Sequence, residues 1–456
     1  VAVLLAELTE ELREIGLAAG LDLVRVAGAD PFEDTRATLE ERRELGLHGG
    51  MAFTYRNPRR STTPAAAVPR ARSLVVGARG YGSPDDRPTD LLLRQRRGRP
   101  AGRVCRSAVR DEYAQLRRGL AEVAGRLREE GYHARVVADD NALVDRAAAH
   151  RAGIGWWGKN TLIIVPGLGS WFVLGSVITD APLVVDAGPV EDHCGPCTRC
   201  MPACPTGAIV APGVLDARRC LAWLLEASGP IPRELRQAVG NRIYGCDECQ
   251  VVCPPNRAVA LRRRRLGEPV TPLAEERSDA GAGSTASDGS TASDDASMPD
   301  LVGIVLGSDE ELMARFGHFY LAGRDPDLLR RNALVGLGNT ARGDEPDVEV
   351  ALVAGLASAK PMVRAHAVWA AAQLHRNDLL SVLTGSEDDP EVLDELKAAC
   401  TFPAWSRGKC TRLGDANGGE GLDGGEGELA TADPNVAWSR GLGPRSGSRK
   451  GKGGSR

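Results

Sequence analysis

Two cysteine runs constrain this chain more than any other feature. The first, CGPCTRCMPAC, places thiols at Cys194, Cys197, Cys200 and Cys204, with proline after the last. The second, CDECQVVC, places them at Cys246, Cys249 and Cys253, again before proline, and Cys220 lies between the runs. A C-x-x-C-x-x-C run wraps three thiolates round one face of an iron–sulfur cubane, and the cysteine three residues further on, before proline, serves a second cluster. The spacing therefore predicts Cys194, Cys197, Cys200 and Cys253 around one 4Fe–4S cluster, and Cys204, Cys220, Cys246 and Cys249 around another. Structural zinc also takes four thiolates, but usually through two paired C-x-x-C knuckles rather than a triple run ending in Cys-Pro. Disulfides are disfavoured in the cytoplasm, the compartment expected here.

A chain of 456 residues is too long for one ordinary core, and about two to four domains are expected. The net charge of -4 excludes a uniformly basic nucleic-acid binder and leaves room for local basic patches. No run of about 18 apolar residues offers a membrane span. The opening VAVLLAELTEELREIG reads as an amphipathic helix rather than a signal peptide, because acidic residues enter it early. Cys105, Cys400 and Cys410 lie outside the two runs.

Residues 1–190 alternate helical and strand patterns, which predicts α/β architecture. Strands are expected in ARSLVVGARGYG, HARVVADDN and SWFVLGSVITD, and helices in AELTEELREIGLAAG and in DEYAQLRRGLAEVAGRLREEG, the latter ending on Gly131. RAAAHRAGIGWWGKN reads as a helix breaking into a glycine loop. It follows no strand and lacks the dinucleotide glycine spacing, and no Walker lysine is present. Residues 191–258 form the cysteine-dense segment, with bacterial ferredoxin-like character. Residues 259–300 read as a basic and low-complexity linker, rich in Ser, Ala, Asp and Gly towards its end. In 301–400, LLRRNALVGLGN and MVRAHAVWAAAQ repeat one frame at an offset of 34 residues, as stacked HEAT-like helix pairs do. A weaker third copy is EVLDELKAAC. Residues 401–456 read as a disordered tail.

Together these stretches carry a resemblance. AGIGWWGKNTLI, GSWFVLGSVITD, HCGPCTRCMPACPTGAIVAPGVLDARRC and GNRIYGCDECQVVCP occur in the order seen in the epoxyqueuosine reductase family. GLHGGMAFTYRNPRR upstream and LRRNALVGLGN downstream fit the same family, over about residues 1–400 without the insert. The resemblance implies an N-terminal domain binding base-off cobalamin, a two-cluster domain fed by an external low-potential electron donor, and a helical domain that helps hold tRNA. It implies a monomeric enzyme that reduces epoxyqueuosine to queuosine at the tRNA wobble position.

The resemblance also assigns roles. It places Asp139, in ADDNALVD, at the proton donor, with the adjacent Asp140 as rival; on a strand two neighbouring acids face opposite sides, so one alone would face the reaction. It places Arg60, Cys105, Lys159, Asn160, Thr161, Ser170 and Trp171 around cobalamin. Trp156 and Trp157 read as core residues rather than cofactor contacts. For tRNA, Arg242, Arg330 and Arg331 are candidates, as is the run Arg262 to Arg265. His193, beside the first run, is expected at the surface. GRVCRSAVRDEYA departs from the family pattern at Val109, Arg110, Glu112 and Ala114. Two other functions fit the same residues: a cobalamin-dependent reductase of a small molecule, as in reductive dehalogenases, and a non-catalytic ferredoxin-type electron carrier.

Overall fold

A computed structural model describes residues 2–81, 100–265, 298–383 and 387–400. The most apolar stretch of the sequence, SLVVGARG, becomes the second strand of a four-stranded sheet: β1 (Leu23–Gly28), β2 (Ser73–Gly80), β3 (Ala134–Val137) and β4 (Phe172–Thr179). The spatial order is β1-β2-β4-β3, with Val26 beside Val75, Val75 beside Val177 and Arg135 beside Ile178. Leu74, Val75 and Val76 are fully buried because β2 is covered on both faces. Side chains alternate across the pleat. Thus Leu74, Val76 and Ala78 meet Ala147, Ala148 and Ala149 of helix Asp145–Arg151. Val75 meets Leu12 of helix Ala2–Ala18 and Leu116, Leu120 and Val123 of helix Glu112–Glu129.

Helices and strands alternate as the pattern predicts, but every pairing in this sheet is antiparallel. Alternation fixes the elements, not strand direction. The connections here are long excursions that hold site loops rather than tight crossovers. The long helix ends as expected, with Gly131 at φ +84° just beyond it.

The cysteine-dense segment and the C-terminal helices do not form separate cores. One apolar cluster runs from Val104, Cys105 and Val109 through Leu221, Leu225, Ile231 and Ile243 to Leu334, Trp369 and Leu396. The two repeat copies lie on helices Asp327–Thr340 and Pro361–Gln373, which pack on each other. Equivalent repeat positions grip the chain between the cysteine runs. Asn332 donates to the carbonyls of Leu225 and Ile243, each at 2.8 Å, and His366 Nε2 accepts from Ile231 N–H at 3.2 Å. Both side chains are fully buried.

The expected linker from 259 is shorter than the sequence suggests, because helix Pro254–Arg265 takes up its first residues, including the Arg262 to Arg265 run. Past the undescribed stretch the chain returns at 298–301, where Gly102 N–H donates to Pro299 O at 2.7 Å and Leu301 N–H to Pro100 O at 3.0 Å. The low-complexity stretch and the expected tail lie outside the described residues. No described helix is long and apolar enough to cross a membrane.

Candidate redox site

The eight clustered thiols fall into two groups. Cys194, Cys197 and Cys200 stand on consecutive turns, and Cys253 faces them across the segment. Cys204, Cys220, Cys246 and Cys249 form the other group. The nine cysteines whose side chains are described are free thiols. Burial, reinforced by repulsion from their neighbours, pushes Cys220 and Cys253 up to about 11 and Cys249 well above the ordinary thiol range. Four such groups ionise together only round a cationic centre, so the donor set fits an iron–sulfur cluster at each position. Cys204 is held below the usual range despite its burial, because Thr206 and the Ala208 N–H, at 3.2 Å, bond its sulfur.

A cavity of about 1110 Å³ lies against the second group, with Cys220 and Cys246 in its wall. The α/β sheet and its loops supply the opposite wall, and Tyr320 of the helical region closes part of it. Pockets for drug-sized ligands run to about 1,000 Å³, so this one has room for a large ligand.

Asp139 enters this cavity and Asp140 does not. Neither is on a strand, because β3 ends at Val137, so pleat alternation is not what separates them. Asp139 adopts a left-handed φ of +53°, uncommon for a residue with a side chain. Its N–H donates to Asp145 Oδ2 at 3.0 Å, which holds the bend. Asp140 is occupied locally: it accepts from Ala142 N–H at 2.7 Å and pairs with Arg135 at 3.3 Å. Asn141 ties the same bend to the upstream segment, accepting from Thr54 N–H at 2.7 Å on Oδ1 and from Ser61 Oγ at 2.8 Å on its carbonyl. Solvent reaches Asp139 through the cavity, yet surrounding protein raises its carboxyl above the usual range, against the pull of Arg117 and Arg146.

Further acidic groups surround this space. Burial lifts Asp145 well above the carboxylate range, and its Oδ1 is buried without a partner. Burial, then the charge of Asp139, pushes Glu226 up to about 8, against the hydrogen bond from Tyr244. The buried Cys105 thiol is raised likewise and also faces the cavity. Sequence reasoning missed Asp145 and Glu226. The one local hint for Glu226 was an acid closing the apolar run LAWLL directly after Cys220.

The residues expected around cobalamin separate. Cys105, Thr161 and Ser170 line the cavity. Ser170 is a joint, donating from Oγ to Gln250 at 3.0 Å and from its N–H to Asn256 at 2.6 Å. Lys159 and Asn160 turn towards the cysteine segment instead, with Lys159 Nζ donating to Gly195 O at 2.6 Å and Asn160 to Cys249 O at 3.5 Å. Trp171 is buried behind the wall, edge-on to Tyr81 and under the Arg106 guanidinium. Arg60 is exposed outside the cavity, on the short helix Pro58–Ser61. Trp156 is buried as expected, whereas Trp157 is 38% exposed and lines the cavity. His193 is exposed, edge-on to Trp156.

The three arginines expected at tRNA are committed within the fold. Arg331 is 1% exposed and donates to the carbonyls of Leu224, Leu225, Ala227 and Gly229. Arg242 is buried, bonding Val239 O at 2.8 Å and pairing with Glu248. Arg330 pairs with Asp327 at 2.6 Å and Asp309 at 2.7 Å. An arginine run reads as surface charge in sequence, but helix carbonyls and buried acids claimed these side chains first. The departures near Cys105 are also absorbed: Val109 enters the core, and Glu112 pairs with Arg79 at 2.8 Å.

Gly245 stands where the cavity wall meets Cys105. Its φ is +65°, and an added Cβ would fall on the Cys105 sulfur. Gly245→Ala is expected to displace Cys105 and the Cys246 turn together. The check is iron content after anaerobic reconstitution, which should fall well below that of the unaltered protein.

Two thiol groups, one against a large cavity ringed by proton-bearing acids, define an iron–sulfur oxidoreductase. Residues 193–256 match the 4Fe-4S double cluster binding domain. The chain is 36% identical over 368 residues to the epoxyqueuosine reductase of Xanthomonas campestris, covering 79% of this chain and 95% of that one. A crystal structure of epoxyqueuosine reductase with an epoxyqueuosine-modified tRNA-Tyr stem loop superposes with a TM-score of 0.73 at 31% identity, over 86% of this chain and 98% of that one. The Bacillus subtilis enzyme, solved with its catalytic aspartate loop swung out of the active site, gives 0.72 at 31% identity over the same shares. The chain belongs to the epoxyqueuosine reductase family.

Proposed function

We propose that the chain reduces epoxyqueuosine to queuosine in tRNA, with the 1110 Å³ cavity as its reaction chamber and Asp139 as the group that protonates the departing oxygen. The observation behind this reading is that one cavity holds both Asp139 and two thiols of the second cysteine group. Reduction of an epoxide to an alkene consumes two electrons and two protons and releases water. An acid whose pKa is raised by its surroundings holds a proton to give near neutral pH. The left-handed bend at Asp139, tied to Asp145 and Asn141, is a hinge-like support, in keeping with the relative whose catalytic aspartate loop has been seen swung out.

The thiol groups would each hold a 4Fe–4S cluster, assigned as the spacing predicts, and cobalamin would occupy the cavity in its base-off form. Bound there, the clusters and cobalamin supply one-electron relay and a strongly reducing centre. Cys105, Thr161 and Ser170 are the residues from the expected set placed to meet that group. Cys194, Cys197 and Cys200 lie outside the cavity wall, so an external low-potential donor would enter there and the second group would deliver inward. A wobble base must leave its stack to reach the chamber. The C-terminal helices, read as HEAT-like, would then serve the tRNA, through surfaces other than the committed Arg242, Arg330 and Arg331.

The test is anaerobic reconstitution with iron, sulfide and cobalamin, followed by turnover of an epoxyqueuosine-bearing tRNA stem loop. Formation of queuosine is expected; bound iron with no cobalamin and no turnover would leave the electron-carrier reading. Cys220→Ser separates the two thiol groups. Its iron content is expected to fall from about eight to about four per chain, the content of two clusters and of one. Retention of all the iron would refute the assignment of Cys220.

A further inference from the structure

We propose that Glu226 holds the second of the two protons consumed in each turnover, delivering it to the oxygen that Asp139 has already protonated once. This inference rests on the reading of the cavity as an epoxide-reducing chamber. Opening the ring breaks one carbon–oxygen bond and takes one proton to oxygen, giving a hydroxyl. Completing the alkene breaks the second carbon–oxygen bond, and a second proton lets that oxygen leave as water. The two electrons come from the external low-potential donor and end in the new carbon–carbon π bond. One carboxylic acid carries one proton, so in a chamber closed by tRNA a single acid cannot complete both steps without reloading.

Glu226 has the placement this requires. It lines the same cavity as Asp139 and feels its charge. It ends helix Leu221–Glu226, which begins directly after Cys220, so the proton source and the electron entry share one rigid element. That last turn is pinned from behind, since Arg331 donates to Leu224 O at 2.9 Å and to Ala227 O at 2.8 Å. Tyr244 orients the carboxyl by donating to it, while its own oxygen accepts from Tyr320 N–H at 2.9 Å. The titratable groups facing Glu226 are Asp139, Tyr244 and Cys105. No guanidinium is among the groups acting on it, whereas Asp139 has Arg117 and Arg146. Glu226 is therefore the more firmly protonated partner, neutral up to about pH 8.

The experiment uses the reconstituted full chain and an epoxyqueuosine-bearing tRNA stem loop, with turnover followed from neutral to alkaline pH. Unaltered protein should lose kcat as pH rises through about 8, where Glu226 gives up its proton. E226Q should slow kcat by about 10²-fold, on the scale of general acid catalysis, and remove the part of that limb centred near pH 8, leaving only the loss that ionisation of Asp139 causes, with KM for the stem loop and iron content unchanged. E226D, which keeps a carboxylic acid, should restore a limb at a shifted pH. An infrared titration of the free protein gives a readout independent of activity: a protonated-carboxyl band that disappears across the same pH range and is missing in E226Q. An E226Q protein with unchanged kcat and the same limb, or an E226D limb that does not move, would overturn the proposal. If the unaltered protein fails to reduce epoxyqueuosine, the functional reading fails instead, and the infrared band alone reports whether Glu226 is a proton store.

Discussion

Asp139→Asn is expected to slow epoxyqueuosine reduction by about 10²–10⁴-fold, the usual contribution of a positioned general acid. Asparagine matches aspartate in size and keeps the N–H that Asp145 accepts, so the bend should survive. What it lacks is a proton to give. Single-turnover reduction of a modified stem loop, with iron content and stem-loop affinity measured alongside, separates these effects. The rate should fall while the other two stay constant. Asp140→Asn should leave the rate nearly unchanged, because Asp140 is spent on Ala142 and Arg135 outside the cavity. A reversed ranking of the two variants would transfer the role to Asp140.

The second large effect concerns stability. Arg331→Met should cost about 3–5 kcal/mol of folding stability, since it leaves several buried carbonyls short of a donor at about 1–3 kcal/mol each. Methionine fills much of the volume but donates no hydrogen bond, so the carbonyls of Leu224, Leu225, Ala227 and Gly229 lose their shared donor. Burial already pulls the Arg331 guanidinium down from its ordinary range, and those carbonyls, with the Asn332 side-chain oxygen at 3.0 Å, favour a cation there. Denaturant midpoints of the two proteins give the answer directly. If Arg331 contacted phosphate instead, stability would hold and the salt dependence of tRNA binding would weaken by about one unit of slope. Because Arg331 pins the helix that ends in Glu226, a milder consequence is slower turnover in whatever protein remains folded.

Sequence determined the parts of this protein that depend on short-range spacing. Two residues between successive thiols fix which cysteines can share a face, and the thiol three residues further on, before proline, marks the ligand sent elsewhere. Helix ends were legible at Gly131, and β2 in its run of β-branched residues, because capping and burial act locally. Asp139 was singled out by its distance from a recognisable motif. What tertiary structure decided is the fate of groups whose role depends on what the chain brings opposite them. Strand direction followed from long excursions, not from the alternation of elements. Asp139 and Asp140 are neighbours in sequence, and a left-handed bend, not a pleat, sends one of them into the cavity. Lys159 and Asn160 belong to the expected cofactor loop but find carbonyls of the cysteine segment closer. Arg331 and Glu226 look like surface charges in a linear reading, yet the fold buries Arg331 and half-buries Glu226 at the end of the helix whose carbonyls Arg331 caps. There a cation survives by capping carbonyls, and an acid survives by keeping its proton.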